Sequence, residues 1–205
     1  MTLSAEILAD YQSLSSREWL CTNGSGAFAS GTVANAPTRR YHALLTVPMT
    51  PPTQRRMTLL SGLHETVTVD GVAFDLHGGR YADGTMHPQG WRHITAFYAS
   101  PVPTWQYDFP GGLRIIKRVF LAPGENTFYA TYARVGGDAV DLTVSPLVSW
   151  KDYHGEMHPW DGFPARQGFT KDGYETKATP DAPTLRLLMP GAKWTRAGLR
   201  PQSKW

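Results

Sequence analysis

Residues 66–74 read Thr-Val-Thr-Val-Asp-Gly-Val-Ala-Phe and carry the clearest signal for the fold. The β-branched residues on either side of Asp70-Gly71 favour two extended segments. Asp-Gly is a preferred loop for a two-residue β-hairpin, because both of its positions tolerate a positive φ. The stretch therefore predicts two antiparallel strands joined by a tight turn.

The same alternation of extended segments and turns continues in both directions along the chain. Pro110-Gly111-Gly112 and Gly136-Gly137-Asp138 separate further pairs of β-rich segments. Trp105, Tyr107 and Phe109 recur with a period of two, as expected where one face of a strand is buried. The predicted strands are 18–22, 27–34, 40–48, 56–69, 72–77, 93–99, 104–109, 113–121, 127–135, 139–149, 168–178 and 184–189.

One segment near the amino end has a helical period instead. Apolar side chains recur with helical spacing over residues 3–14, and Ser4 is placed to cap the first turn. Many strands and one helix are most economically buried in packed sheets. The sequence thus predicts an all-β fold, a large antiparallel β-sandwich with one short amino-terminal helix. We expect a helical lead-in over 1–16, the sandwich over 17–192, and a polar, basic, truncated linker over 193–205.

The composition favours a folded domain and excludes several classes of protein. Of the 205 residues, 41% are hydrophobic and 18% are charged, which is neither a disordered nor a coiled-coil composition. The net charge of +3 is spread along the chain, so a nucleic-acid partner is not expected. Cys21 stands alone in an apolar segment and is expected to be a buried thiol. No signal peptide and no membrane-spanning apolar run are recognisable, which predicts a cytoplasmic protein.

A polar segment interrupts this β-rich pattern. Residues 38–45 read Thr-Arg-Arg-Tyr-His-Ala-Leu-Leu, so large polar side chains precede an apolar strand. By strand alternation, Arg39 and Tyr41 share one face while Arg40 and His42 share the other. From the spacing alone, these residues form either a charged cluster at a strand edge with a hydrogen-bonded histidine or a functional surface.

Together with the glycine-rich segment before it, this stretch resembles the amino-terminal domain of the bacterial and archaeal type of glycogen-debranching enzyme (amylo-α-1,6-glucosidase). Each motif is short, but their order and spacing are specific, and they run from about residue 17 to at least residue 154. The motifs are Glu18-Trp19-Leu20, Thr22-Asn23-Gly24-Ser25-Gly26, Ala29-Ser30-Gly31-Thr32, residues 38–45, His87-Pro88-Gln89-Gly90-Trp91, Pro103-Thr104-Trp105, Lys117-Arg118-Val119-Phe120, Gly124-Glu125-Asn126-Thr127 and Lys151-Asp152-Tyr153-His154.

The chain departs from the pattern of that family at two positions. Ala43 stands where the family has Gly, a small change within a strand. Lys151 stands where Arg is expected, which keeps the positive charge but loses the bidentate fork of a guanidinium. The second change puts a bidentate contact to a sugar hydroxyl or a carboxylate at residue 151 in doubt.

The resemblance implies a two-domain glycosidase, in which a β-sandwich docks on an (α/α)6 helical domain of the same polypeptide. Its substrate is an α-glucan, glycogen or a maltooligosaccharide. Hydrolysis of an α-1,6 branch needs two carboxylates that flank the glycosidic oxygen, and the resemblance places both on the helical domain. We therefore expect no catalytic residue in this chain.

Two carboxylates of the chain could nevertheless have a catalytic role. Glu65 is either a catalytic acid or, as we favour, an exposed glutamate at a strand edge. Asp152 beside His154 forms either an acid–base dyad or, as we favour, a local contact that holds a loop. His42 and His154 lack His-x-His or His-x-x-x-His spacing, so neither a metal nor another cofactor is expected.

Aromatic side chains supply the flat apolar surfaces on which sugar rings are bound. The chain has seven Trp. Trp91, Trp150 and Trp160 lie in loop-like contexts, whereas Trp19 and Trp105 are expected in the core. Residues 150–161 form the densest candidate loop, facing either a sugar or a partner domain.

These observations define a candidate surface, either substrate-binding or interdomain. Three roles remain open for it: a substrate-positioning accessory domain, an autonomous carbohydrate-binding module, or a structural scaffold; a free-standing hydrolase is the least favoured. The residues of the candidate surface are Asn23, Arg39, Arg40, Tyr41, His42, Trp150, Lys151, Asp152 and His154.

Overall fold

The computed structural model of the chain describes residue 3 and residues 5–49, 55–81, 83–156 and 166–195. Within these ranges the helices are α1 (Ala5–Leu8) and α2 (Tyr11–Ser15), with 3₁₀ turns at Gly90–His93 and Pro110–Gly112. The strands in the same ranges are β1 (Glu18–Thr22), β2 (Phe28–Thr32), β3 (Ala43–Pro48), β4 (Arg56–Val69), β5 (Val72–Asp75), β6 (Gly78–Arg80), β7 (Met86–Gln89), β8 (Ile94–Tyr98), β9 (Thr104–Asp108), β10 (Arg114–Leu121), β11 (Phe128–Val135), β12 (Asp141–Asp152), β13 (Arg166–Phe169), β14 (Gly173–Lys177) and β15 (Leu185–Leu188).

The strands form two main antiparallel sheets, which confirms the predicted all-β sandwich. One is a 6-stranded sheet in the order β1-β2-β3-β4-β12, with β5 paired to β4. The other is a 4-stranded sheet in the order β11-β10-β9-β8. The small sheets β13-β14-β15 and β6-β7 complete the described fold. No helix in the described residues is long and apolar enough to cross a membrane.

The hairpin predicted from Asp70-Gly71 is confirmed. Asp70 has a φ of 49° and Gly71 a φ of 79°, the left-handed conformation that a type I′ turn needs at both positions. Val69 pairs with Val72 directly across the turn. Local turn chemistry therefore sets the register between β4 and β5.

The core lies between the two main sheets and is built around tryptophan, as predicted. Trp105 is buried, and its ring contacts Trp19 edge to face with a centroid distance of 5.6 Å. The Trp105 Nε1–H donates to the carbonyl oxygen of Val33 at 2.8 Å. A strand of the second sheet is therefore joined to the first by apolar contact and by a hydrogen bond that satisfies its buried donor.

A charged pair also lies in the core, and it corrects the prediction for Glu65. Glu65 is 0% exposed rather than at an exposed strand edge, because β4 is a central strand whose inner side faces the second sheet. The Lys117 ammonium, 1% exposed, lies 2.5 Å from its carboxylate, and the Tyr132 hydroxyl donates to the same oxygen at 2.7 Å. Burial and Glu65 raise the pKa of Tyr132 well above its ordinary value, which keeps this donor protonated.

Several predicted elements have different bounds in the structure. The single helix predicted over 3–14 is divided into α1 and α2, because Asp10 caps α2 by accepting from the amides of Gln12 and Ser13. The proposed cap Ser4 lies outside the described residues. The strand predicted over 168–178 is two strands, β13 and β14, and the short strands β6 and β7 were not predicted. Cys21 is half-buried, and burial raises the pKa of its thiol.

Candidate functional site

The polar segment before β3 is a turn and not part of a strand, so the predicted division of its side chains between two faces is wrong. The amide of His42 donates to the carbonyl oxygen of Arg39 at 3.1 Å and closes the turn. Arg39 and His42 consequently point to the same carboxylate. Arg40 and Tyr41 point instead to the end of β12.

Glu18 of β1 is the carboxylate shared by Arg39 and His42. The Nε atom of Arg39 lies 2.7 Å from Glu18 Oε1, and Nε2 of His42 lies 3.3 Å from the same oxygen. His42 is buried, and its Nδ1 accepts from the amide of Thr38 at 3.1 Å. Burial lowers the pKa of His42, and the opposite effect of Glu18 is smaller.

The end of β12 forms a second turn, held by Asp152. Its carboxylate accepts from the amide of His154 at 3.0 Å and from Nε of Arg55 at 2.9 Å. The backbone hydrogen bond and Arg55 lower the pKa of Asp152. The structure therefore shows the loop-holding contact favoured for Asp152 from the sequence, and Arg55 is a partner that the sequence did not indicate.

The two turns meet at an aromatic patch, which we define as Phe28, Tyr41, Tyr153 and His154. The ring of Tyr153 lies 4.7 Å from that of Tyr41, 4.6 Å from that of His154 and 5.6 Å from that of Phe28. Tyr41 is the exposed tyrosine of the patch, with 37% of its surface accessible. The patch thus offers a supported aromatic ring to the solvent.

Arg40 and Lys151 connect the two turns beside this patch. The Lys151 ammonium donates to the carbonyl oxygen of Arg40 at 2.5 Å, and Nη1 of Arg40 donates to the carbonyl oxygen of His154 at 3.3 Å. Nη2 of Arg40 also lies 3.8 Å from Glu156 Oε1. Burial and the neighbouring Arg40 lower the pKa of Lys151. We refer to the hydrogen bonds from Lys151 to Arg40 and from Arg40 to His154 as the Arg40–Lys151 clamp.

Asn23 lies beneath the loop that precedes Phe28. Its side chain is buried and accepts from the amides of Ser25 and Ala27 at 2.9 and 3.0 Å. Its amide group donates to the carbonyl oxygen of Glu125 at 2.9 Å. Asn23 therefore shapes the loop from within, and its side chain is not presented on the surface.

The tryptophans named from the sequence do not join the patch in the described residues. Trp150 is buried, and its Nε1–H donates to the carbonyl oxygen of Pro183 at 3.1 Å, in the loop between β14 and β15. Trp91 lies in a 3₁₀ turn and packs on Tyr11 with a centroid distance of 5.8 Å. Trp160 lies outside the described residues.

The structure thus brings together five of the predicted site residues and places the others around or beneath them. Tyr153 and Phe28 are patch residues that the prediction omitted. Tyr153 could have been found, because it lies within the aromatic segment 150–161, whereas nothing in the local sequence links Phe28 to that segment. The five residues brought together are Arg40, Tyr41, Lys151, Asp152 and His154.

The chemistry of the patch fits a neutral, hydroxyl-rich ligand. Aromatic rings bind the apolar face of a pyranose, and guanidinium and carboxylate groups bind its hydroxyls. Asp152 and Glu156, its acidic neighbours, already face Arg55 and Arg40. In the part of the chain that the structure describes, no group of three His, Cys, Asp or Glu side chains is arranged to hold a metal ion.

The comparisons with known proteins give one match. The family model described as "Glycogen debranching enzyme N terminal" matches residues 17–205. Searches of curated proteins and of solved structures each returned no significant match.

Proposed function

Because the chain belongs to the glycogen debranching enzyme N-terminal family, we propose that its sandwich binds and positions α-glucan for the hydrolysis of α-1,6 branch points. The observation that carries this proposal is the exposed ring of Tyr41, which packs on Tyr153 and His154. The guanidinium of Arg40 donates to the carbonyl oxygen of the same His154. The setting we propose is a cytoplasmic enzyme of glycogen breakdown.

In the proposed contact, the ring of Tyr41 and the charged side chains bind different parts of the sugar. The open face of Tyr41 would stack on the apolar face of a glucosyl unit. Arg40 and Arg55, which are both exposed, would donate to its hydroxyls, and Asp152 would accept from them. A neutral sugar leaves the ion pairs at the patch intact, so binding does not require a charged group to lose its partner.

The chain is proposed to position substrate and not to cleave it. Hydrolysis of a glycosidic bond needs one protonated and one ionised carboxyl group on opposite sides of that bond. At the patch, Asp152 is held ionised by Arg55 and by the amide of His154, which suits a hydroxyl acceptor better than an acid. We infer that the acid and the base lie on a helical domain of the same polypeptide.

The test uses the enzyme that contains this domain, with Tyr41→Ala compared with Tyr129→Ala. Tyr129 is the matched control, since it is an exposed tyrosine on β11, with 43% of its surface accessible. We expect Tyr41→Ala to reduce hydrolysis of a branched dextrin about tenfold, equivalent to about 1.4 kcal/mol. Tyr129→Ala should keep wild-type activity. Equal activity of both variants would rule out substrate positioning by the patch.

A second role, the seam against a partner domain, is favoured by the charge of the site. Arg39, Arg40, Arg55 and Lys151 exceed the neighbouring carboxylates Glu18, Asp152 and Glu156 in number, which suits an acidic protein surface. Titration calorimetry of the isolated chain with maltooligosaccharides separates the roles. Heat of binding that Tyr41→Ala abolishes supports a glucan contact. No heat, together with a lower unfolding temperature of the Tyr41→Ala enzyme, supports the seam.

A further inference from the structure

His42 occupies a position between the turn and the first sheet that the proposed glucan contact does not use directly. Its side chain is 4% exposed, so it does not reach a ligand at the patch. Its two ring nitrogens nevertheless face different parts of the fold. Nδ1 faces the amide of Thr38 at the start of the turn, and Nε2 faces Glu18 of β1.

The contact with Thr38 decides where the proton of the neutral ring lies. A backbone amide can only donate, so Nδ1 must offer a lone pair to the Thr38 N–H at 3.1 Å. The single proton of neutral His42 is therefore on Nε2, toward Glu18 Oε1 at 3.3 Å. At that distance Nε2 makes a polar contact with Glu18 but no hydrogen bond, so the contact with Glu18 is the weaker of the two.

The turn carries the exposed groups of the patch and is anchored on both sides. On one side, Lys151 holds the carbonyl oxygen of Arg40, and the hydroxyl of Ser30 donates to the carbonyl oxygen of Tyr41 at 3.3 Å. On the other side, the Thr38 amide reaches Nδ1 of His42. Because the turn lies outside the strand ladders, these side-chain contacts fix its position.

We propose that His42, as the Nε2–H tautomer, is a positioning residue that fixes the turn of residues 38–42 and so holds Tyr41 against Tyr153. The choice of glucan as the ligand of that turn rests on the proposed function. The position of the turn does not rest on the proposed function, since it follows from the contacts of Thr38, Glu18 and His42.

The same geometry makes the position of the turn sensitive to acid. A second proton on the ring must enter at Nδ1, where it would face the hydrogen of the Thr38 amide and break that bond. The charged groups that face the ring are Glu18 of β1, which favours protonation, and Arg39 of the turn, which opposes it. Burial opposes it further and lowers the pKa of His42, so the turn keeps its position to a lower pH than it would with an exposed histidine.

Isosteric substitutions of His42 distinguish the roles of its two ring nitrogens. His42→Asn places an amide oxygen where Nδ1 accepts from Thr38, whereas His42→Gln places an amide group nearer the position of Nε2. We expect His42→Ala and His42→Gln to weaken glucan binding about three- to tenfold, the effect of one lost hydrogen bond. His42→Asn should recover most of that loss. His87→Ala, at an exposed histidine of β7, is the control and should bind normally.

A second measurement does not depend on glucan. In the ¹⁵N spectrum of the ring, we expect an unprotonated Nδ1 and a protonated Nε2 at neutral pH, and slow hydrogen exchange at the Thr38 amide. That exchange should become fast in His42→Ala and His42→Gln and stay slow in His42→Asn. A protonated Nδ1, or a Thr38 amide that exchanges equally in all variants, would overturn the inference.

The two measurements also distinguish this inference from the proposed function. A wild-type chain and enzyme that bind no glucan would overturn the proposed function, while the tautomer and the Thr38 amide would still decide the role of His42. If glucan binds, and if His42→Asn is as defective as His42→Ala although the Thr38 amide stays protected, positioning through Nδ1 is wrong.

Discussion

The ammonium of Lys151 donates to the carbonyl oxygen of Arg40 at 2.5 Å, so two cationic residues are joined through a backbone acceptor. The guanidinium of Arg40 is directed away, toward the carbonyl oxygen of His154 at 3.3 Å. A lysine is a compact donor and suits a single carbonyl oxygen, for which the fork of an arginine is not needed. The Arg40–Lys151 clamp thereby ties the end of β12 to the turn before β3.

Replacing Lys151 with Met should loosen this clamp while keeping most of the aliphatic length of the side chain. The carbonyl oxygen of Arg40 loses a charged donor, so we expect the free energy of unfolding to fall by about 1–2 kcal/mol in urea titrations. Glucan affinity should fall as well. Lys171→Met, at an exposed lysine in the turn between β13 and β14, should change neither the free energy of unfolding nor the glucan affinity. If this control lost as much as Lys151→Met, the loss would come from the change in net charge and not from the clamp.

Replacing Asn23 with Ala removes the buried side chain that shapes the loop before Phe28. The amides of Ser25 and Ala27 lose their acceptor, and we expect the free energy of unfolding to fall by about 2–3 kcal/mol. Asn126→Ala removes a single contact with Asn23, at 3.3 Å, and should cost less than 1 kcal/mol. Chemical unfolding of the two variants checks this, and equal losses would show that the buried amide does not organise the loop.

Replacing Lys117 with Met leaves the carboxylate of Glu65 buried without its cation. We expect this variant to lose about 3–5 kcal/mol of unfolding free energy. The double variant Glu65→Gln with Lys117→Met should be more stable than Lys117→Met alone, because the neutral amide can still accept from Tyr132. A double-mutant cycle in urea measures the coupling. Additive losses would mean that the two charges do not interact in the core.

Acid should destabilise the domain in the range where histidine titrates. Burial lowers the pKa of His42, His77 and His93 in the folded chain. Since the unfolded chain then binds more protons, their contribution is fully present above about pH 6.5 and is lost as the pH falls through the folded-state pKa values. Urea midpoints should therefore fall as the pH is lowered below about 6.5.

The variant His77→Gln tests that origin of the pH dependence. His77 is buried and stacks on His64 at a centroid distance of 4.0 Å. Its removal should make the urea midpoint less dependent on pH, whatever it does to stability at neutral pH. If the urea midpoint depended on pH as steeply in His77→Gln, His42→Asn and His93→Gln as in the wild type, other groups would be responsible for the acid sensitivity.

The sequence by itself determined most of the strands and several of their turns. The predicted bounds of β1 and β4 match the structure, since β-branched alternation and the Asp70-Gly71 turn act within a few residues. The burial of Trp105 also followed from a period of two. The order of the motifs between Glu18 and His154 indicated the family, which the match over residues 17–205 confirms.

The tertiary structure alone decided which polar residues are buried and which meet. Glu65 looked like an exposed edge residue, because its burial depends on the second sheet, which supplies Lys117. Arg39 and Tyr41 looked like strand neighbours, until Glu18 and the end of β12 fixed a turn. Arg40 and His154 are 114 residues apart in the chain and are joined in the fold. Local patterns carry no information on such contacts, so the fold had to bring the two turns together before Tyr41 could join the aromatic patch.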